Sequence, residues 1–320
     1  LEVIMEVMGT NRLASGLSQT LLSLLCALLL LLPVQASAAV EVVTTLPSLA
    51  ALVREVGGAQ VSVQSLLGPA TDPHFADAKP SLVVTLSRAD LVVVNGLELE
   101  VGWLPPVLRQ SRNSRIQVGA AGYLDASLTV RKLEVPRGAV DRAQGDVHPG
   151  GNPHFLYDPR AGAAVARAIG EKLAVIDPAQ AAGYRQRAAT LAASLERFAT
   201  EERARFATLA AAQRTIVPFH RSLAYLCDWL GLSTPIDVEP RPGVSPNPAH
   251  VAKVLAQLRL LPKPVVLQER YYPTSTTQVL AKLAPAKLVV IAGGADDQKR
   301  QTYLESVRET SKRIYDALAL

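Results

Sequence analysis

Between Pro178 and about Ala211 the chain has a single glycine, Gly183, and no further proline, while apolar side chains return at Tyr184, Ala188, Leu191, Leu195, Phe198, Phe206 and Leu209. Steps of three and four residues place these side chains on one face, the signature of a long amphipathic helix. At a rise of about 1.5 Å per residue, a helix over 178–211 spans roughly 50 Å, more than one small domain needs. It reads as a rigid strut, with a separate body expected on each side.

Both flanks alternate strands with short helices. Upstream, residues 40–45 are β-rich, 49–56 read as a helix closed by Gly57-Gly58, and 61–67 form a second strand. A Pro-bearing loop over 68–80 leads to Ser81, a plausible N-cap. Next comes Leu91-Val92-Val93-Val94, an unbroken apolar run ending at Asn95-Gly96 that suits a strand buried on both faces. From 122 to 151 the pattern dissolves into a polar, Gly-bearing stretch expected to be a long surface loop, after which Asp158-Pro159 cap and open a helix to about Val175. Downstream, strands are expected at 215–219, near Ile236, at 265–269 and at 287–291, with helices ending at Gly231 and Leu261 and a Pro-rich crossing over 239–248. Such alternation implies parallel sheets with helices on their faces. The expected fold is α/β: two lobes, 39–177 and 212–320, each with a mainly parallel sheet flanked by helices, joined by one long rigid helix over 178–211.

The N-terminus reads as an export signal. An apolar run from Leu17 to Leu32, broken only by Ser18, Gln19, Thr20 and Ser23, follows Arg12 and precedes Ala36-Ser37-Ala38. A positive n-region, a short apolar core and small residues at the cut are signal-peptide grammar. Cleavage is expected after Ala38, giving a periplasmic protein; the run is short for a membrane span and Pro33 breaks it. Glu2 and Glu6 suit a leader poorly, which points to Met5 or Met8 as the translational start. Cys26 follows Leu25, where a lipoprotein site would want a small residue, so it reads as part of the apolar core. Only Cys227 then remains, which excludes an internal disulfide and a pure thiolate metal site. The formal net charge is +5, but Lys and Arg are scattered without a sustained basic run or interleaved aromatics, which excludes nucleic acid as a partner.

There are five histidines, and three have similar addresses. His74 sits in Asp72-Pro73-His74-Phe75, His154 in Asn152-Pro153-His154-Phe155, and His220 in Val217-Pro218-Phe219-His220. Each lies in or beside a turn next to an expected strand or helix start. In parallel α/β sheets, residues far apart in sequence converge at the crevice outside the strand ends. Neutral imidazole suits zinc, and a neighbouring proline lowers the entropy lost on ordering a site.

These motifs, with Asp158-Pro159, Tyr225 and the segment Asn95-Gly96-Leu97-Glu98-Leu99-Glu100 before Trp103-Leu104, resemble the solute-binding receptors of zinc and manganese ABC importers. The resemblance runs from about Val40 to about Ile291. It implies two α/β lobes joined by a long helix, with a divalent ion buried in the cleft between them and handed to a membrane permease, the receptor acting as a monomer. Carried over by position, it implies His74 and His154 as ligands from the first lobe and His220 from the second. Three histidines go with Zn2+ in that family, whereas a carboxylate in the third place goes with Mn2+, the harder ion.

One departure stands out. The family commonly supplies an aspartate after the last strand, where this chain reads Val290-Ile291-Ala292-Gly293-Gly294. An ion held by neutral imidazoles alone keeps its charge in a partly dry cleft, which is costly, so a carboxylate is expected nearby. Glu269, ending the strand at 265–269, is the expected fourth metal ligand; Glu239, Glu100, Asp296 or a water are weaker choices. His148, in Gly145-Asp146-Val147-His148, reads as an exposed loop residue with early metal capture as its alternative, and His250 reads as surface. Asp72 and Asp158 read as orienting or capping residues. Two other functions share these features, a secreted zinc-dependent hydrolase and a metal-binding adhesin; the first is weakened by the absence of His-Glu-x-x-His.

Overall fold

The computed structural model describes residues 39–319 apart from 139 and 142–144, so the expected leader over 1–38 lies outside the described residues. From Ala39 onward the chain forms one compact unit. No helix among the described residues is long and apolar enough to cross a membrane.

The first half is built on strands β1 (Val40–Thr44), β2 (Val61–Ser65), β3 (Leu91–Val94) and β4 (Tyr123–Asp125), all parallel in the order β2-β1-β3-β4. The apolar run at β3 is buried throughout, and its residues alternate between two cores: Leu91 and Val93 join one, Val92 and Val94 the other. That is the period of two expected for a strand covered on both faces. Helices α1 (Pro47–Gly57), α2 (Pro80–Arg88), α3 (Leu104–Gln110) and α4 (Pro159–Ile176) supply the cover. Pro80 rather than Ser81 opens α2, its ring preset for a first helical turn, and Lys79 stands at the cap without a side-chain bond. Asp158 caps α4 by accepting from the Arg160 backbone N–H. The stretch expected to be loop from 122 onward begins with β4, a three-residue strand too short to show a period.

The second half carries β5 (Val217–Pro218), β6 (Val265–Glu269) and β7 (Lys287–Ile291), parallel in that order. Helices α6 (Ala224–Leu230), α7 (Pro248–Leu260) and α8 (Ser275–Leu283) accompany them. The strand expected near Ile236 does not form. Pro235 and Pro240 bracket the segment with residues that cannot donate to a ladder. It still runs beside the end of β5, the N–H groups of Val238 and Glu239 donating to the carbonyls of Pro218 and Phe219 at 2.8 and 3.0 Å.

The long helix α5 (Ala181–Ala207) has 27 residues, roughly 40 Å at about 1.5 Å per residue, and a 3-10 turn at Pro178–Gln180 precedes it. It is no free strut. It packs along α4, where a side chain at Gly170 would collide with Ala188, and it reaches α6, whose Trp229 donates its Nε1–H to the Ala199 carbonyl at 3.0 Å. The last helix, α9 (Tyr303–Ala319), covers β7 and returns to the first half. There the fully buried Tyr303 donates its hydroxyl to the Leu156 and Asp158 carbonyls, at 3.0 and 3.1 Å, while its N–H reaches Glu55.

Candidate metal centre

The C-terminal ends of β2, β3, β4 and β5 lead into the segments that carry or hold three buried imidazoles, as parallel sheets dictate. Side-chain nitrogens of His74, His154 and His220 all lie within 4.8 Å of one another. Their ring centres are 5.1, 5.3 and 5.4 Å apart. Imidazoles bound through Nε2 to one tetrahedral ion at about 2.0–2.1 Å place their ring centres roughly 5 Å apart, so the observed spacing matches what a shared ion requires.

The two Asx-Pro-His turns share one local geometry. Asp72 Oδ1 accepts both the backbone N–H of His74 at 3.0 Å and its ring Nδ1 at 2.9 Å. Asn152 Oδ1 does the same for His154, again at 3.0 and 2.9 Å. One side-chain oxygen two residues upstream thus fixes the tautomer and the ring direction, leaving Nε2 as the free lone pair. Nε2 of His74 and of His154 are buried without a hydrogen-bond partner, which is costly unless something charged or polar fills the gap.

A single segment clamps both turns. Trp103 donates Nε1–H to the Pro73 carbonyl at 2.9 Å, and Asn95 donates Nδ2–H to the Pro153 carbonyl at 2.9 Å. Asn95 is held in turn by Glu100, whose carboxylate accepts from the N–H groups of Asn95 and Gly96 and from the Thr45 hydroxyl. Burial raises the Glu100 pKa to about 6 against the pull of those donors.

His220 is oriented differently. Its Nδ1 meets Glu239 Oε2 at 2.7 Å, and the same oxygen accepts from the Gly243 N–H at 2.9 Å. Burial lowers the basicity of His220, but the hydrogen bond and charge of Glu239 outweigh it, so its pKa is raised. His154 goes the other way: burial drives it well below the ordinary value, and the neighbouring His74 and His220 add to the effect. Burial also acts to raise Asp72, yet the bonds and charge of His74 leave its carboxyl below the usual range.

Glu269 is fully buried at the end of β6 and is not part of the 4.8 Å trio. Its Oε1 accepts from Ser222 Oγ and, at 3.3 Å, from the Tyr157 hydroxyl, while its Oε2 is buried without a partner. Burial raises its pKa, with Ser222 and His220 opposing. Ala292, Gly293 and Gly294 after β7 offer no side-chain donor, and Tyr271 occupies the space: a Cβ at Gly293 would lie 2.2 Å from its ring.

Sequence reasoning weighed Glu239 only as a distant ligand; its service to His220 was invisible because the two are 19 residues apart across an irregular crossing. His148, expected to be exposed, is half-buried, with its ring centre 5.5 Å from that of His74. His250 meets the Asp237 carbonyl through Nε2 at 2.9 Å, and its N–H completes the Asn247 cap of α7. Cys227 is free and buried, its thiol pushed up to about 12 by burial, which keeps it protonated and inert.

The sequence matches the ZnuA family, described as zinc-uptake complex component A, periplasmic, over residues 42–317. The zinc-binding protein TroA of Treponema pallidum (strain Nichols) is 26% identical over 262 residues, covering 80% of this chain and 78% of its own. The manganese ABC transporter substrate-binding lipoprotein PsaA of Streptococcus pneumoniae is 24% identical over 232 residues, covering 72% of this chain and 71% of its own. A crystal structure of ZnuA aligns with a TM-score of 0.73 at 23% identity, covering 88% of this chain and 99% of its own, a likeness of fold.

Proposed function

The chain belongs to the ZnuA family of periplasmic zinc-uptake components, and on that premise we propose that it captures one Zn2+ between its two halves and delivers it to the permease of an ABC importer. The family is one of solute-binding receptors rather than enzymes. In this reading the protein is a monomer without catalytic activity, its leader is cut near Ala38, and the halves 39–177 and 212–320 act as the lobes. Mn2+ is the less favoured cargo.

The observation that carries the reading is the convergence of three buried imidazoles whose Nδ1 atoms are already engaged and whose side-chain nitrogens gather within 4.8 Å. Neutral imidazole is a ligand for zinc more than for manganese, which prefers oxygen. His74, His154 and His220 hold the ion, and Glu269 supplies the carboxylate through its unpartnered Oε2. That anion offsets charge in a largely buried site, where an unpaired dication is costly. Asp72, Asn152 and Glu239 fix the rings before the ion arrives, so little conformational entropy is lost on binding.

Purified protein freed of metal and titrated against a chromophoric chelator should bind one zinc per chain and prefer zinc to manganese. Alanine at His74, His154 or His220 should each cost more than the roughly 10–100-fold typical of losing an outer partner. Glu269→Gln should weaken zinc more than Glu100→Gln does. Preference for manganese, or full zinc affinity in His220→Ala, would contradict the reading.

A further inference from the structure

His148 stands beside the trio, although its loop setting reads first as that of an exposed residue. Its Nε2 is buried without a partner, as are those of His74 and His154. The Leu97 backbone faces its ring and favours the protonated form, against the burial that lowers its basicity. Nδ1 is hydrogen-bonded in His74, His154 and His220.

The backbone beside the His148 ring belongs to the segment that clamps the other two first-half histidines. Asn95 holds the turn before His154, Trp103 holds the turn before His74, and Leu97 between them faces His148. Leu97 and Glu98 adopt the left-handed region at φ 52° and 63°, a conformation that residues with side chains sustain only when the surroundings impose it. Glycines let the His148 loop press in from both sides. Gly150 lies against Leu97, where a Cβ would stand 2.8 Å from a Leu97 methyl, and Gly145 at φ 83° lies against the Pro242 carbonyl of the second half. The Asp146 N–H donates to that same carbonyl at 2.9 Å. His148 therefore lines, with His154 and His220, the cavity by which the centre opens.

We propose that His148 is a further imidazole donor to the bound ion, approaching from the open side while Glu269 stays at the closed one. The proposal rests on the zinc-receptor reading and deepens it. The ring centres of His74 and His148 are 5.5 Å apart, against the roughly 5 Å of rings sharing one tetrahedral ion. Its ligand atom stands outside the 4.8 Å trio, so the loop moves inward on binding to complete the contact. A fourth imidazole makes the donor set softer and richer in nitrogen, which favours zinc or cobalt over manganese. It also puts a ligand across the exit, so its removal speeds loss of the ion.

The test compares the parent chain, His148→Ala and Val147→Ala, each loaded with Co2+ for visible spectra and with Zn2+ for stopped-flow release to excess chelator. Expected for His148→Ala are at least a tenfold faster zinc release, a shift and change in intensity of the cobalt bands, and a smaller preference for zinc over manganese. Val147→Ala should match the parent. Parent-like release and spectra in His148→Ala overturn the role of His148, even where His74→Ala abolishes binding and so upholds the metal centre. A parent chain that binds neither ion overturns the zinc-receptor reading itself, and the role of His148 with it.

Discussion

The two halves orient their histidines by opposite means. In the first half the orienting oxygen lies two residues upstream of each imidazole, in Asp72-Pro73-His74 and in Asn152-Pro153-His154. In the second half the oxygen that holds His220 belongs to Glu239, 19 residues away, and the nearby buried carboxylate, Glu269, is held by Ser222, 47 residues away. The first arrangement is a local turn that forms with the chain. The second exists only once β5, β6 and the crossing beside them have assembled. In the proposed site the first half thus offers two preset imidazoles, and the second adds one whose basicity is set by a charged partner.

The largest losses are expected on removing the local oxygens. Asp72→Ala or Asn152→Ala should each weaken zinc about 10–100-fold, the usual cost of losing an outer partner, as measured by chelator competition. Asp72→Asn should bind within about threefold of the parent, because Asn152 already performs the same task; the tolerance expected here follows from the hydrogen bond being to oxygen in both turns. Equal losses in Asp72→Asn and Asp72→Ala would mean that charge, not geometry, matters in the first half.

A smaller effect is expected for Glu239→Gln, below the roughly 10–100-fold of losing an outer partner outright, since Gln keeps an oxygen for Nδ1 but loses the charge that makes His220 a better donor. A loss equal to that of Asn152→Ala would erase the distinction between the two halves.

The smallest effect concerns pH in the metal-free protein. His220 is raised above its ordinary 6.5, so the stability it contributes is fully present below that value and is lost as pH rises through the folded-state value. His154 is lowered, so its contribution is present above 6.5 and is lost as pH falls. Glu239→Gln removes only the first. The Tm difference between parent and Glu239→Gln should therefore be larger near about pH 6 than near about pH 8. A difference that does not change with pH would show that Glu239 does not hold the His220 proton.

The same contrast explains what the sequence could disclose. Strands β3, β6 and β7 were legible because unbroken apolar runs have one economical use in a parallel sheet, and α4 because Asp158-Pro159 is a local cap. The long helix was legible from its period, but its packing along α4 and the return of α9 to the first half were not, because they depend on tertiary fit. Near Ile236 the apolar residues suggested a strand, and the flanking prolines decided otherwise. At the centre, the Asx-Pro-His turns announced themselves within three residues. The pairing of His220 with Glu239, the hold of Ser222 and Tyr157 on Glu269, and the inward turn of His148 all join distant parts of the chain. The one local hint for His148 was its setting between Gly145 and Gly150-Gly151, which permits a close approach without requiring it.

The proposed function requires one ion held by imidazoles from both halves. Diffraction data collected at the zinc absorption edge from crystals of the zinc-loaded protein test it most directly. A single strong anomalous peak is expected, about 2.0–2.1 Å from one ring nitrogen each of His74, His154 and His220. A peak ligated by residues of one half only, or lying away from these three rings, would contradict it.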